Sequence, residues 1–217
     1  MIDNFHYAIL VCIFALRLYL GKTALMVAAQ KGQIKLAEML ITQGANINLK
    51  SNHGSTVLVY ASEMGHKTLV DKLLAKGADI DVRNNAGWTA LMFATDKGKD
   101  DTASLLIEKG ADLDMQNNHG RTALMYATRD GQTAIAKLLI AKGADLNITN
   151  DNGRTALMMA TNGGQSRIAT LLISHGADVN VKDKENKTAL MYATDRGRSA
   201  APLVELLTSK GAAKYLC

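Results

Sequence analysis

Gly21, Gly54, Gly87, Gly120, Gly153 and Asn186 recur at one constant interval, and each stands two positions before a threonine. A fixed period of that length constrains the fold more than any composition figure. It is the mark of a supersecondary unit copied along the chain, each copy too small to bury its own apolar face. Other columns keep the register. Thr-Ala-Leu-Met recurs at 23–26, 89–92, 122–125, 155–158 and 188–191, with Thr-Val-Leu-Val at 56–59. A second glycine follows at 32, 65, 98, 131, 164 and 197. A third opens Gly-Ala-[Asp/Asn]-x-[Asn/Asp] at 44–48, 77–81, 110–114, 143–147 and 176–180.

The period disposes of a tempting alternative. An apolar run leading into Gly21-Lys22-Thr23 and a helix-forming stretch reads like a phosphate-binding loop, but Leu16 stands where the first glycine of that loop is needed. The sister copies put Ser55, Trp88, Arg121, Arg154 and Lys187 at the lysine position. A lysine that gripped phosphate would not vary so.

Local chemistry turns each unit into two helices. Threonine suits an N-cap, and Ala-Leu-Met-x-x-Ala then forms a short helix with a small-residue side that lets a neighbour approach. The second glycine ends that helix and turns the chain. A second helix follows, as over 33–42 or 133–141, with Ile135, Leu138 and Leu139 on one face. The third glycine is placed for a left-handed C-cap. The polar, turn-rich residues after it suit a finger that reaches the next unit. The methionine column, Met26, Met92, Met125, Met158 and Met191, is expected in the core between units.

These columns resemble the ankyrin repeat, over residues 21–217, as six units starting near 21, 54, 87, 120, 153 and 186. One departure recurs: the family usually carries Thr-Pro-Leu-His where this chain has Thr-Ala-Leu-Met. The resemblance implies an all-α solenoid of stacked helix pairs with β-turn fingers. At roughly 10 Å per layer, six units would give a rod on the order of 60 Å. Cys12 and Cys217 would then be too far apart to bond within one chain.

The ends break the pattern. Residues 1–20 are apolar from Tyr7 to Leu16, too short for a typical spanning helix and without a basic start or an Ala-x-Ala cleavage site. They are expected to cap the first unit, with a signal or membrane anchor, or an atypical start, as the alternatives. The last unit is two positions longer between Gly197 and Gly211, with Pro202 where a helix can begin. It reads as a terminal cap with no further domain after it.

Enzyme chemistry finds no foothold. The chain lacks the His-Glu-x-x-His, Gly-x-Ser-x-Gly and Gly-x-Gly-x-x-Gly patterns, and its net charge of +5 is spread rather than blocked, which argues against nucleic acid. His53 and His119 share a finger position two units apart, too distant for one metal. Residues 149–153 faintly suggest a calcium loop, but Ile148 and Met159 stand where carboxylates are required. Asp100 and Asp101 are expected in the first turn of a helix, where the macrodipole favours them. Asn147-Ile148-Thr149 and Asn186-Lys187-Thr188 are glycosylation sequons, meaningful only for a secreted chain.

Positions that differ while the framework repeats are free for recognition. They are the residue after the first glycine, the pair before the second, and the finger tips. The resemblance places these columns on a concave groove that holds partners. Trp88, Arg121, Arg154 and Lys187 occupy the first column, Glu63, Asp96, Lys97, Arg129 and Asp130 the second, and His119 a finger tip. Trp and Arg are the residues most enriched at interface hot spots. The expected function is a non-catalytic protein–protein interaction module without cofactor or metal, monomeric and cytoplasmic, whose partner is a protein of mixed charge. The alternative is a secreted or membrane-tethered effector addressed by residues 1–20.

Overall fold

A computed structural model describes residues 21–212 and divides the chain into two compact units, Met1–Ala111 and Asp112–Cys217. The expectations for residues 1–20, and both cysteines, lie outside the described residues.

In the first unit the described helices come in pairs: α1 (Ala24–Gln30) with α2 (Ile34–Thr42), α3 (Val57–Met64) with α4 (Lys67–Ala75), and α5 (Ala90–Asp96) with α6 (Asp100–Glu108). The first helices pack in succession, α1 on α3 and α3 on α5, and each second helix packs on its own first helix. Close approach is possible because the facing residues are small: Ala28, Ala29, Ala61 and Ala94 are fully buried. Leu69, Val70 and Leu73 of α4 fill the layer behind them. Burying each such side chain contributes about 1.5–3 kcal/mol.

The second unit repeats the plan. Helix α7 (Ala123–Arg129) pairs with α8 (Thr133–Ala141), α9 (Ala156–Gly163) with α10 (Ser166–Ser174), and α11 (Ala189–Asp195) with α12 (Ala201–Ser209). A 3₁₀ turn at Gly197–Ala200 takes up the extra length of the last pair, and Pro202 sits in the first turn of α12. Among the described residues no helix is long and apolar enough to cross a membrane.

The threonine column caps as expected at five places. Thr23, Thr89, Thr122, Thr155 and Thr188 each accept a hydrogen bond from the backbone N–H of the methionine three positions on. Thr56 does not: it has the same extended backbone, but its hydroxyl is buried without a partner. The two kinds of threonine should therefore respond oppositely to Val. Thr89→Val is expected to cost about 1 kcal/mol through the lost cap, whereas Thr56→Val should be neutral or stabilising because it removes an unsatisfied hydroxyl. Chemical denaturation of the two variants checks the contrast; equal losses would contradict it.

The methionines are buried at 26, 92, 125 and 158. Met191, in α11, is only half-buried. No later first helix among the described residues packs against that face.

Candidate partner-binding site

Four fingers are each organised by one side chain, three positions before the first-glycine column. The Oδ1 of Asn117 accepts the backbone N–H groups of His119 and Arg121, at 2.9 and 3.0 Å. Asn150 does the same for Asn152 and Arg154, and Asp183 for Glu185 and Lys187. In the first unit Asn84 holds Ala86 and Trp88. The first-column residues are thus presented on a backbone fixed by a buried or half-buried amide or carboxylate. Their signal in the sequence is Asn-x-x-Gly at 84, 117 and 150 and its variant Asp183-x-x-Asn186, since Asx side chains close such turns.

Fingers are then tied to one another. In the second unit the Asp151 N–H donates to the carbonyl of His119 at 3.1 Å, and the Lys184 N–H to that of Asn152 at 3.0 Å. Just after the third glycines, the Asp145 and Asp178 N–H groups reach the Asp114 and Asn147 side chains, both at 2.8 Å.

Within the first unit, Trp88 is half-buried and its ring lies on Phe93, with centroids 4.8 Å apart and planes tilted by 40°. The tryptophan therefore combines ring packing with partial exposure. Glu63 is half-buried at the end of α3, and Asp96 pairs with its neighbour Lys97 at 2.9 Å.

The second unit gathers more of the expected residues. Arg121, Arg129 and Arg154 line one cleft of about 230 Å³ together with Asn150, Asn152, Met159 and Asn162. Arg129 meets Asp130 in a two-point pair, both distances 2.7 Å, and lies over the Tyr126 ring. Arg154 reaches Asp183 at 3.3 Å and Glu185 at 3.4 Å, with its guanidinium over the Tyr192 ring. Lys187 sits 3.7 Å from Glu185 and 4.0 Å from Asp195, outside that cleft. His119 is exposed at its finger tip. Asp96 is the more buried member of its pair with Lys97, and Arg129 and Asp130 are each about a third exposed, so both pairs sit at the edge of the surface.

Asp183 is the most strongly engaged carboxylate among the described residues. Its side chain is only 1% exposed. Burial alone would push its pKa up; the hydrogen bonds from Tyr192, from the Lys187 and Glu185 backbones and from Arg154 outweigh burial and hold it below the usual value. The Tyr192 phenol is pushed up to about 12 by burial and by its bond to Asp183.

The comparisons with known proteins agree with this architecture. The family model described as ankyrin repeats, in three copies, matches residues 8–84, 67–150 and 137–216. The chain is similar to the crystal structure of an ankyrin repeat domain from Acinetobacter baumannii AYE, at 30% identity and a TM-score of 0.80, over 86% of this chain and 97% of that one. It is also similar to the ankyrin repeat domain of Bcl-3, described as a unique member of the IkappaB protein family, at 31% identity and a TM-score of 0.78, over 89% and 86% of the two chains. Among curated proteins none matches. The chain belongs to the ankyrin-repeat family, whose members are in general protein–protein interaction modules without catalysis of their own.

Proposed function

We propose that this chain is a monomeric, non-catalytic binding module that holds a partner protein through its first-column and finger residues, with Trp88 and Arg121 as anchors. The observation that carries the reading is the contrast between columns. From residue 56 on, the recurring threonines, leucines and alanines are buried, whereas Trp88, Arg121, Arg154 and Lys187 are half-exposed on backbone that the Asx side chains hold in place. A surface already ordered before binding loses less entropy when a partner arrives. The acidic residues beside the basic ones, Glu63, Asp96, Asp130 and Asp195, favour a partner of mixed charge over a simple polyanion.

Affinity capture from the source cell with the full-length chain tests this. The double variant Trp88→Ala, Arg121→Ala is expected to lose the partner that the wild type retains, because truncating anchors of these types typically costs about 2 kcal/mol or more. Undiminished capture by a variant that melts like the wild type would refute the site.

A further inference from the structure

Arg121 and Arg154 are register mates, one period apart, yet they differ in what surrounds them. Arg154 is satisfied within the chain: Asp183 and Glu185 supply carboxylates and Tyr192 supplies a ring. One period back, those three partners correspond to Asn150, Asn152 and Met159. All three line the cleft that also holds Arg121. Two acids have become amides and the ring has become a thioether. The Arg121 guanidinium accordingly has no ion-pair or hydrogen-bond partner among the described residues, although it is half-buried.

Asn150 carries a second, independent mark. It is 8% exposed, and its Oδ1 is used by two backbone N–H groups, so its amide donors are the remaining polar function. In the neighbouring finger the same amide of Asn117 donates to the Tyr126 hydroxyl at 2.7 Å. Met159 replaces that tyrosine one period on, and no other acceptor among the cleft residues takes its place at Asn150. An amide donor without a protein acceptor thus borders the same cleft as an arginine without a carboxylate.

We infer that this cleft receives a carboxylate side chain, Asp or Glu, of the partner protein. The carboxylate takes the place on Arg121 that Asp183 and Glu185 take on Arg154, within reach of the Asn150 and Asn152 amides. A monoanion is the match because, of the three arginines of the cleft, two are compensated: Arg129 is paired with Asp130, and Arg154 with Asp183 and Glu185. A phosphate dianion would leave charge unbalanced. Arginine also binds a carboxylate through two parallel N–H donors, which fixes the direction of the incoming group. This inference rests on the protein-binding reading above and specifies what one part of that surface takes.

The test is a titration of the uniformly ¹⁵N-labelled full-length chain with a hexaglutamate peptide, following the arginine Nε–Hε resonances together with the Asn150 and Asn152 side-chain amides, which also report on Arg121→Gln. A saturable shift at Arg121 is expected, with hexaglutamine inert and affinity lowered about tenfold or more in Arg121→Gln. Two further variants keep every arginine. Asn152→Glu supplies the carboxylate from within, and Met159→Tyr supplies the ring and an acceptor for Asn150; each is expected to abolish the shift while the melting temperature holds or rises. Unchanged affinity in Arg121→Gln, or in both closing variants, would overturn the assignment. So would tighter occupation of Arg121 by a hexaphosphoserine peptide or by octathymidylate than by hexaglutamate. Trp88→Ala separates the two readings. If it loses the cellular partner while hexaglutamate fails at Arg121, the carboxylate site falls and the binding module stands. If hexaglutamate binds at Arg121 while capture ignores both anchors, the carboxylate site stands and the anchor assignment falls.

Discussion

Asp183→Ala is expected to remove about 3–5 kcal/mol of stability, the loss typical of breaking one partner out of a buried charge pair. Four interactions vanish at once: two backbone N–H groups, from Glu185 and Lys187, lose their acceptor, the Tyr192 hydroxyl loses its partner, and Arg154 loses its buried carboxylate. Asp183→Asn should be far milder. The amide oxygen keeps both backbone bonds, and its NH₂ can donate to Tyr192 as Asn117 donates to Tyr126. Urea denaturation of the pair checks the difference; similar losses would show that the backbone bonds contribute little.

The same pair predicts a pH dependence with two limbs. The folded-state pKa of Asp183 lies below the ordinary 3.8, so its contribution is present above that value. It is lost as pH falls through the lowered folded value. Tyr192 has the opposite sign: with its pKa raised from 10.0 to about 12, its contribution is intact below pH 10 and is lost as pH rises toward and past 12. Asp183→Asn should flatten the acid limb and leave most of the alkaline one, because burial is the larger cause of the tyrosine shift.

Gly120→Ala is the second large effect, expected at about 2–5 kcal/mol. Its φ of +67° is left-handed, which costs a residue with a Cβ about 1–2 kcal/mol. A Cβ there would also lie 2.9 Å from both the Asn150 Cα and the Asp151 nitrogen, backbone atoms of the next finger that cannot turn aside. Overpacking of that kind adds about 1–3 kcal/mol. The column itself provides the control. Asn186 holds the same left-handed conformation, at φ 59°, and among the described residues no later finger lies against it. Asn186→Ala is therefore expected to show only the conformational part. Equal losses at 120 and 186 in thermal or urea unfolding would mean that the finger contact carries no cost.

The sequence was most legible where the physics is local. A threonine caps the turn that follows it, a glycine ends a helix at its own position, and an amphipathic stretch buries its own face. From those rules the helix pairs, their boundaries and the buried methionines up to Met158 could be read directly. Thr56 and Met191 departed from the rule: a hydroxyl's bond depends on a turn's detailed geometry, and burial depends on there being a neighbour. The candidate site was legible only as a list. Its members vary between copies, and variation does not say which of them a neighbouring finger has already satisfied.

The constant period, with its glycines and threonines, by itself determined the repeating helix pair and its family, because each of those residues acts within a turn of where it stands. Tertiary structure alone decided that Arg154 is spoken for and Arg121 is not. The deciding residues lie about one whole repeat further along the chain, and only stacking brings an aspartate to one guanidinium and lines the cleft of the other with asparagines.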